Sequence, residues 1–340
     1  MLYVLTALLL LGVLIILHEG GHFWAARLCG IEVREFSAGM GPLLLQRRSR
    51  KGTQFSVRAL PIGGYCAFYG EDEDSDDPRA FNLQPVWKRA VTVAAGPLMN
   101  FVAAFAVIVI YLSLVGIPAI VPEVESVENV AAEAGLQSGD RILAVNGEEL
   151  SDTQAIATAI AGSEGKAVTL TVERGGEKMD LALTPFYDEA LSRWRVGFTF
   201  AQRRTRVSLL TSIPFSVQYN AESATLIVKT LKDLIFHGQG VEDVTGPVGT
   251  VYVIQEVTRE GGLDIYLELM AIISVNLGLM NLLPIPGLDG SRLLFLLAEA
   301  IRRKPVNRDI EGTIHTIGFA LLMGLMVVLT YKDIMQYFLK

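Results

Sequence analysis

The sequence has few cysteines, few charged residues and no basic residue near its start. Only two of its 340 residues are cysteine, Cys29 and Cys66, and 19% are charged. The cysteines lack CxxC spacing and lie in a segment predicted below to face the reducing cytoplasm, so neither a disulfide nor a cysteine metal site is expected. No Lys or Arg precedes Arg27, whereas a cleaved signal peptide begins with a basic segment. No basic stripe with interleaved aromatic residues suggests a nucleic-acid partner.

Charge is absent from four long stretches of a chain that is 51% hydrophobic. A helix of ~20 apolar residues crosses a hydrocarbon core of ~30 Å. The first stretch is shorter, but it continues to Ala26 if the polar group His18, Glu19 and His22 is accommodated. We therefore predict transmembrane helices at residues 1–28, 90–118, 263–297 and 312–332. The uncharged stretches are Leu2–Leu17, Ala90–Pro122, Leu269–Leu288 and Gly312–Tyr331.

Basic residues crowd two of the segments between these helices. They are concentrated in residues 27–89 and again in residues 302–308. Because cytoplasmic loops carry the excess of Lys and Arg, residues 29–89 and 298–311 are predicted to be cytoplasmic. The N-terminus and residues 119–262 then lie outside.

Three further regions are predicted between the helices. Residues 29–89 contain FSVRALPIGGYCAFYG, whose glycines and β-branched residues indicate a membrane-associated β-hairpin, followed by a solvated acidic loop. In residues 119–187 the segment GLQSGDRILAVNGEEL resembles the PDZ signature, and PDZ domains bind peptides by adding a strand to a sheet edge. Residues 188–262 are predicted to form an amphipathic helical region on the outer surface.

The polar group in the first stretch has the sequence HEGGH. His18 and His22 are four residues apart, so they lie on one face of a helix. Glu19 lies ~100° further round the axis, within reach of a water on a metal bound by both imidazoles. This spacing is typical of zinc peptidases in which the Glu is the general base. Two His and a Glu inside a span are costly without a function, so we predict His18 and His22 as zinc ligands and Glu19 as the base.

The acid Asp289 directly follows the third uncharged stretch. A catalytic zinc needs a third protein ligand and an open position for water. His18 lies about 16 residues into its span and Asp289 about 20 into its own, so at ~1.5 Å per residue both reach the cytoplasmic boundary. Asp289 is therefore the predicted third ligand, whereas His237 and His315 are predicted to have ordinary roles.

The sequence NLLPIPGLDG around Asp289 interrupts the third helix. Pro284 and Pro286 cannot continue a regular helix, and they free backbone groups at membrane depth. Such groups persist only where they are buried in protein or line a wet cavity. We predict Asn281, Pro284 and Pro286 to bind an unwound substrate. For Asn281, a hydrogen bond between helices is the alternative.

The motifs HEGGH and NLLPIPGLDG, in this order and topology, closely resemble the site-2 protease family, in its bacterial regulator of sigma-E protease (RseP-like) branch. The resemblance covers nearly the whole chain, because it includes PIGGY, GEDE, AAGPLMN, the PDZ-like domain and TGPVG. It implies Zn²⁺ as cofactor, the ligand and base roles given above, and a role for Asn281 in holding the substrate. Two features depart from it: one PDZ-like domain is visible where some members have two, and Ser291 and Arg292 follow LDG where many members have Gly-His.

The fold class expected is an α-helical polytopic membrane protein with a membrane-associated β-hairpin and one inserted extracytoplasmic PDZ-like α+β domain. The resemblance implies an enzyme of the bacterial inner membrane that hydrolyses peptide bonds in or near transmembrane segments, with its active site near the cytoplasmic side. The implied partners are the bilayer and single-pass membrane proteins, such as pre-cleaved anti-sigma factors or signal-peptide remnants.

The alternative functions are a zinc-binding transporter and a catalytically inactive membrane adaptor. A zinc transporter also places His and Asp in its spans, but it should show further acidic or His residues along a path and an internal repeat, and neither is visible. A catalytically inactive membrane adaptor with a PDZ domain would have no need of Glu19.

Overall fold

The computed structural model describes residues 2–71, 73, 75–189, 193–240 and 244–338. Asp72 and Asp74 of the predicted acidic loop lie outside the described residues, as do residues 190–192 and 241–243 of the predicted amphipathic region. The chain divides into two compact units. One consists of Met1–Tyr111 and Ser208–Lys340, and the other of Leu112–Val207.

Long apolar helices make up most of the first unit. Within the described residues, four helices are long and apolar enough to cross a membrane. They fit the polytopic α-helical membrane protein that the uncharged stretches predict. These helices are α1 (Leu2–Cys29), α2 (Val86–Leu114), the part of α6 (Pro247–Leu282) that begins at Gly261, and α8 (Arg308–Phe338).

Helix α1 packs against α6 along one face. Leu10 and Leu14 are fully buried and belong to one apolar cluster with Ile254 of α6. A spacing of four residues keeps side chains on the same face of a helix. The face that carries Leu10 and Leu14 continues through His18 and His22, so this packing turns both imidazoles toward the protein interior.

A long two-stranded sheet and two further helices complete the first unit. Strands β1 (Val33–Arg48) and β2 (Gln54–Phe68) pair antiparallel. The chain then makes a short 3₁₀ turn at Phe81–Leu83, and the Phe81 ring stacks on Phe68 with centroids 5.2 Å apart. Helix α5 covers Leu209–His237, and α7 covers Asp289–Arg302.

An antiparallel sheet covered by one helix forms the core of the second unit. The sheet consists of β3 (Ile117–Val127), β4 (Arg141–Val145), β6 (Val168–Arg174), β7 (Glu177–Leu183) and β10 (Phe198–Thr205). The strand order is β10-β3-β4-β6-β7, which makes β10 an edge strand. Ile156 of the helix packs into the apolar core with Ile142, Leu170 and Val172 of the sheet. This helix is α4 (Thr153–Ala161), and the remaining elements are α3 (Asn129–Glu133), β5 (Glu148–Glu149), β8 (Phe186–Asp188) and β9 (Arg193–Arg195).

The sheet extends beyond residue 187, the predicted end of this domain. Strand β10 pairs with β3 from Phe198 opposite Val127 to Thr205 opposite Ile117. Phe198 and Phe200 alternate with polar Thr199 and pack against the core cluster. This period of two is that of a strand. The helical spacing that predicts the amphipathic region in residues 188–262 begins only after residue 207.

A buried ion pair stabilises this second unit and should make its stability depend on pH. Asp140 is 1% exposed and accepts hydrogen bonds from Arg174 Nε and Nη2, both at 2.6 Å, and from the backbone N–H of Gln137 at 2.8 Å. The Arg174 guanidinium holds the pKa of the Asp140 carboxyl below its ordinary value of 3.8. A lowered pKa contributes stability that is fully present above the unfolded value and is lost as the pH falls through the folded value.

We therefore expect the protection of β4 and β6 from hydrogen exchange in the full chain to fall below about pH 4, near the ordinary carboxyl pKa. Asp140→Asn should lower the unfolding free energy of this unit by about 2 kcal/mol at neutral pH, the value of a hydrogen bond to a charged group, and should flatten the acid dependence. The exposed Asp180, bonded to Thr171 at 2.7 Å, provides the control Asp180→Asn, for which a similar loss would contradict the assignment.

Candidate metal centre

Three predicted ligands from two distant parts of the chain meet in the first unit. The Nε2 atoms of His18 and His22 lie 3.2 and 3.3 Å from Oδ2 of Asp289, and 3.3 Å from each other. Both histidines are at most 9% exposed. Helix α1 supplies the histidines, and Asp289 is the first residue of α7.

Residues of helix α2 orient both imidazoles through contacts with their Nδ1 atoms. His22 Nδ1 lies 2.9 Å from the carbonyl oxygen of Thr92. A carbonyl only accepts, so Nδ1 carries the proton of the neutral ring and Nε2 presents a lone pair to Asp289. His18 Nδ1 lies 3.2 Å from the side-chain amide of Asn100, which is fully buried. The Asn100 backbone carbonyl in turn accepts a 2.7 Å hydrogen bond from Ser274 of α6.

The orientation of the Asn100 amide bears on the state of His18. Its Oδ1 atom is buried and has no donor among the described residues, while its nitrogen faces the imidazole. When Nε2 of His18 holds a metal, Nδ1 carries a proton and needs an acceptor. A half turn of the Asn100 side-chain amide about its Cβ–Cγ bond exchanges the nitrogen and Oδ1, so that Oδ1 faces Nδ1 of His18. Asn100 can therefore satisfy the metal-bound form of His18.

The three ligand atoms have the spacing that zinc requires. A tetrahedral zinc with bonds of ~2.0–2.1 Å separates its ligands by about 3.3 Å, which agrees with the three distances above. Oδ2 of Asp289 is buried and has no hydrogen-bond donor among the described residues. Two imidazole lone pairs and a carboxylate oxygen at this distance repel one another unless a cation lies between them. The donor set therefore fits Zn²⁺.

The break in the chain before Asp289 sets its position. Helix α6 ends at Leu282, and α7 begins at Asp289. A Cβ at Gly290 would overlap the carbonyl oxygen of Leu282, so the absence of a side chain lets the start of α7 approach the end of α6 closely. This approach brings the carboxylate to the histidines of α1.

Glu19 and Asn281 share a cavity with the three ligands. The cavity has a volume of about 480 Å³, and its opposite wall is strand β2, including Tyr65 and Cys66. Gly64 of β2 lies so close that an added Cβ would be 3.3 Å from Cγ of Glu19.

The two prolines of NLLPIPGLDG lie elsewhere. Neither Pro284 nor Pro286 lines the metal cavity; Pro284 is exposed, and Pro286 packs tightly against Gly318 of α8. Of the three residues predicted to bind substrate, Asn281 alone lines this cavity.

Sequence reasoning gave no role to the residues of α2 that contact the histidines. Gly96 is the third of them, because a Cβ there would overlap Nε2 of His22. Gly96 and Asn100 both belong to AAGPLMN, a segment that contributes to the family resemblance but to no predicted site. The available signal was Asn100, an amide inside an uncharged span.

The paired glycines of HEGGH provide a matched test of this packing. A Cβ at Gly21 would overlap the carbonyl oxygen of Ala95 in α2, whereas a Cβ at Gly20 would meet nothing within 4 Å. Overpacking of this kind costs ~1–3 kcal/mol. We expect Gly21→Ala to displace His22 and weaken zinc binding about 10- to 100-fold in a chelator competition, and Gly20→Ala to leave it unchanged. Equal zinc affinity in the two variants would show that α1 and α2 can separate freely.

The sequence matches the family model of peptidase family M50 over residues 6–325. A protein of Clostridium acetobutylicum, named as a candidate zinc metalloprotease, is 35% identical over 97% of both chains. The zinc metalloprotease RasP of Bacillus licheniformis is 31% identical, and the regulator of sigma-W protease RasP of Bacillus subtilis is 28% identical, each over 99% of both chains.

These matches cover the HEGGH helix, the helices of the second and third spans and the segment that carries Asp289. The four apolar helices agree with a multi-pass membrane protein. The chain therefore belongs to peptidase family M50, the site-2 protease family.

Proposed function

We propose that this protein is a zinc metalloendopeptidase that cuts other membrane proteins in or near their transmembrane segments. The observation that carries the proposal is the meeting of His18, His22 and Asp289 at 3.2–3.3 Å beside Glu19. His18, His22 and Asp289 hold the zinc, and Glu19 is the general base. Two relatives are named zinc metalloproteases, which supports the choice of metal.

Zn²⁺ in such a site supplies a Lewis acid that acidifies water and polarises the peptide carbonyl. Glu19 takes a proton from the attacking water while the water oxygen forms a bond to the carbonyl carbon of the substrate. When the C–N bond breaks, the protonated Glu19 gives that proton to the leaving nitrogen. Thr92 holds His22 in the tautomer that leaves its Nε2 free, and Asn100 does the same for His18 once its side-chain amide has turned to present Oδ1.

The substrate must be extended where it is cut, because the peptide bonds of a helix are shielded by its own hydrogen bonds. Asn281 lines the metal cavity, and its amide both donates to and accepts from an unwound backbone. Pro284 and Pro286 act less directly, by ending α6 and thereby keeping this wall free of regular helix.

Metal analysis and cleavage measured on one preparation test the proposal. We expect about one zinc per chain, and cleavage of a reporter substrate with one transmembrane segment that stops on chelation and returns with zinc. Zinc-free protein that cuts as fast as the zinc-loaded form would refute it.

The second unit is proposed to be a PDZ-like domain that controls admission of substrates. A cavity of about 660 Å³ lies between α4 and β10, where Ala157 and Ala161 face Phe198 and Phe200. Because β10 is an edge strand, its free edge can pair with an extended peptide. The proposed catalytic groups all lie outside this unit.

The sheet suggests how to remove this unit cleanly. Ile117 and Thr205 are partners in the ladder between β3 and β10, so a short Gly-Ser linker can replace residues 117–205. We expect this deletion to keep zinc and to cut an untrimmed substrate as readily as a trimmed one. Ala157→Arg, which fills the groove, should act in the same way if peptide binding controls admission. A folded deletion protein that holds zinc but cuts neither substrate would refute the gating role.

The hairpin of β1 and β2 is proposed to lie at the membrane surface. Its outer part exposes a run of apolar side chains on β1, with Leu44 62% and Leu45 70% exposed. Apolar patches of this kind mark contacts with a membrane or a partner.

The membrane topology follows from the positive charges and can be tested separately. We propose that the protein lies in the bacterial inner membrane with its N-terminus and PDZ-like domain outside and its metal centre near the cytoplasmic side. A reporter that works only in the cytoplasm should be active when fused near Arg50 or Lys304 and silent when fused near Glu177. The opposite pattern would place the metal centre at the other face.

Single-pass membrane proteins are the proposed substrates, with anti-sigma factors and signal-peptide remnants as candidates. The B. subtilis relative is named a regulator of sigma-W protease. Cleavage of a trimmed anti-sigma factor in reconstituted vesicles, lost on chelation, would support this class. A trimmed anti-sigma factor left intact by a preparation that cuts the reporter would exclude it.

A further inference from the structure

A second cavity adjoins the metal cavity at the start of α7. Its volume is about 720 Å³, and its walls come from α2, α7 and α8. Glu71, Val93 and Arg292 line both cavities. These three residues therefore form a wall that the two cavities share, and two of them carry opposite charges.

Glu71 connects the end of the hairpin to α7. One carboxylate oxygen, Oε1, contacts Nη1 of Arg292, while Oε2 accepts a hydrogen bond from the backbone amide of Phe68 at 3.2 Å. Phe68 is the last residue of β2, and its ring is fixed by stacking on Phe81. The Glu71 side chain is 12% exposed and that of Arg292 is 35% exposed. Glu71 is thus held on one side by the backbone and on the other by Arg292.

Arg292 stands three residues after Asp289, on the first turn of α7. Residues three apart are neighbours on a helix surface, so the ion pair of Arg292 with Glu71 also restrains the turn that presents the Asp289 carboxylate. Hydrogen bonds between charged groups are the strong ones, and they gain strength where water is partly excluded. The ion pair therefore opposes movement of the start of α7 away from β2.

We propose that Glu71 and Arg292 form a positioning clamp, which holds Asp289 at the metal centre and closes the wall between the two cavities. The clamp rests on the proposed zinc site, and it adds two residues to which no role has been assigned. Neither residue belongs to the proposed ligand set or is the proposed base, so both act through Asp289.

A neighbouring ion pair supplies a matched control. Arg89 of α2 and Glu299 of α7 lie 2.5 Å apart with side chains 13% and 15% exposed. This pair lines the second cavity but not the metal cavity, and Glu299 is near the other end of α7. Its loss removes a buried ion pair of the same helix without touching the shared wall.

Two measurements on the full chain in detergent separate positioning from general stability. The first is zinc affinity by chelator competition. We expect Glu71→Gln and Arg292→Gln to weaken it about 10- to 100-fold, the range found when partners of metal ligands are lost. Glu299→Gln, compared with the clamp variants at temperatures that leave each protein equally folded, should leave the zinc affinity unchanged.

The second measurement uses Cys66, which lines the metal cavity. Burial raises the pKa of the Cys66 thiol, so a thiol reagent should label it slowly in the wild type. Labelling is done on zinc-free protein in a Cys29→Ser background, so that neither metal loss nor the other thiol contributes. We expect Glu71→Gln and Arg292→Gln to accelerate labelling several-fold, and Glu299→Gln to leave its rate unchanged.

Exchange of the charges completes the test. Glu71→Arg combined with Arg292→Glu should recover much of the zinc affinity and slow labelling that each single change loses. A series in which Glu299→Gln matches Glu71→Gln in both measurements, or in which neither clamp variant differs from the wild type, would overturn the clamp. A wild type that binds no zinc would instead overturn the proposed function.

Discussion

Replacing Glu19 with Gln is expected to reduce cleavage by about 10²–10⁴-fold, the contribution typical of a general acid–base group, while leaving zinc bound. The amide has nearly the size of the carboxylate but cannot take a proton from water or return one to the leaving nitrogen. His18, His22 and Asp289 are unchanged, so the metal affinity should stay within a few-fold of the wild type. Cleavage of the reporter substrate and zinc content, measured on the same preparation, give both numbers.

Glu268 provides the matched control for this experiment. It lies within the span of α6 and accepts a hydrogen bond from Tyr111 at 3.4 Å, but it does not line the metal cavity. Glu268→Gln should therefore cut at nearly the wild-type rate. If Glu19→Gln remains active with a full complement of zinc, another group takes the proton and the assignment of the base is wrong.

Replacing Asp289 with Ala is expected to remove metal and activity together. The carboxylate supplies one of three ligand atoms, so zinc affinity should fall by more than the ~100-fold limit seen for partners outside the ligand shell. His22→Ala should behave in the same way, since its Nε2 is an equivalent corner of the site. Chelator competition on the purified variants measures the loss, and excess zinc should not restore full activity.

Asp333 distinguishes the loss of a ligand from the loss of a buried acid. It is 1% exposed in α8 and accepts hydrogen bonds from the amides of Gly246 and Gly249, at 3.1 and 2.7 Å. Asp333→Asn should lower thermal stability but leave the zinc affinity of folded protein unchanged. If Asp289→Ala keeps full zinc occupancy, the third ligand lies elsewhere.

The predicted ligands could be named from sequence because simple geometry constrains them. Helical periodicity puts His18 and His22 on one face, and depth in the membrane brings Asp289 to their level. The contacts of Thr92 and Asn100 depend on how α1 and α2 approach each other, which periodicity within a single helix does not determine. The ion pair of Glu71 and Arg292 joins residues 221 positions apart, so no local pattern could reveal it.

In the second unit, long-range strand pairing limits what can be predicted from the sequence. Its sheet could be predicted from the alternating pattern of residues 168–183, because a period of two is local. The return of β10 to pair with β3 is a contact over about 80 residues, as in the pairing of Phe198 with Val127 and Arg203 with Ala119. The end of the sheet depends on this pairing, which a local sequence pattern does not reveal.

The division of the proposed metal ligands between α1 and α7 also limits when the protein can act during its own synthesis. His18 and His22 leave the ribosome early, but Asp289 follows His18 by 289 − 18 = 271 residues, after three of the four apolar helices have been translated. The two histidines alone leave a zinc ion without its third protein ligand. With this ligand set, a nascent chain therefore stays proteolytically inactive beside the other newly made proteins at the insertion machinery until Asp289 has been synthesised.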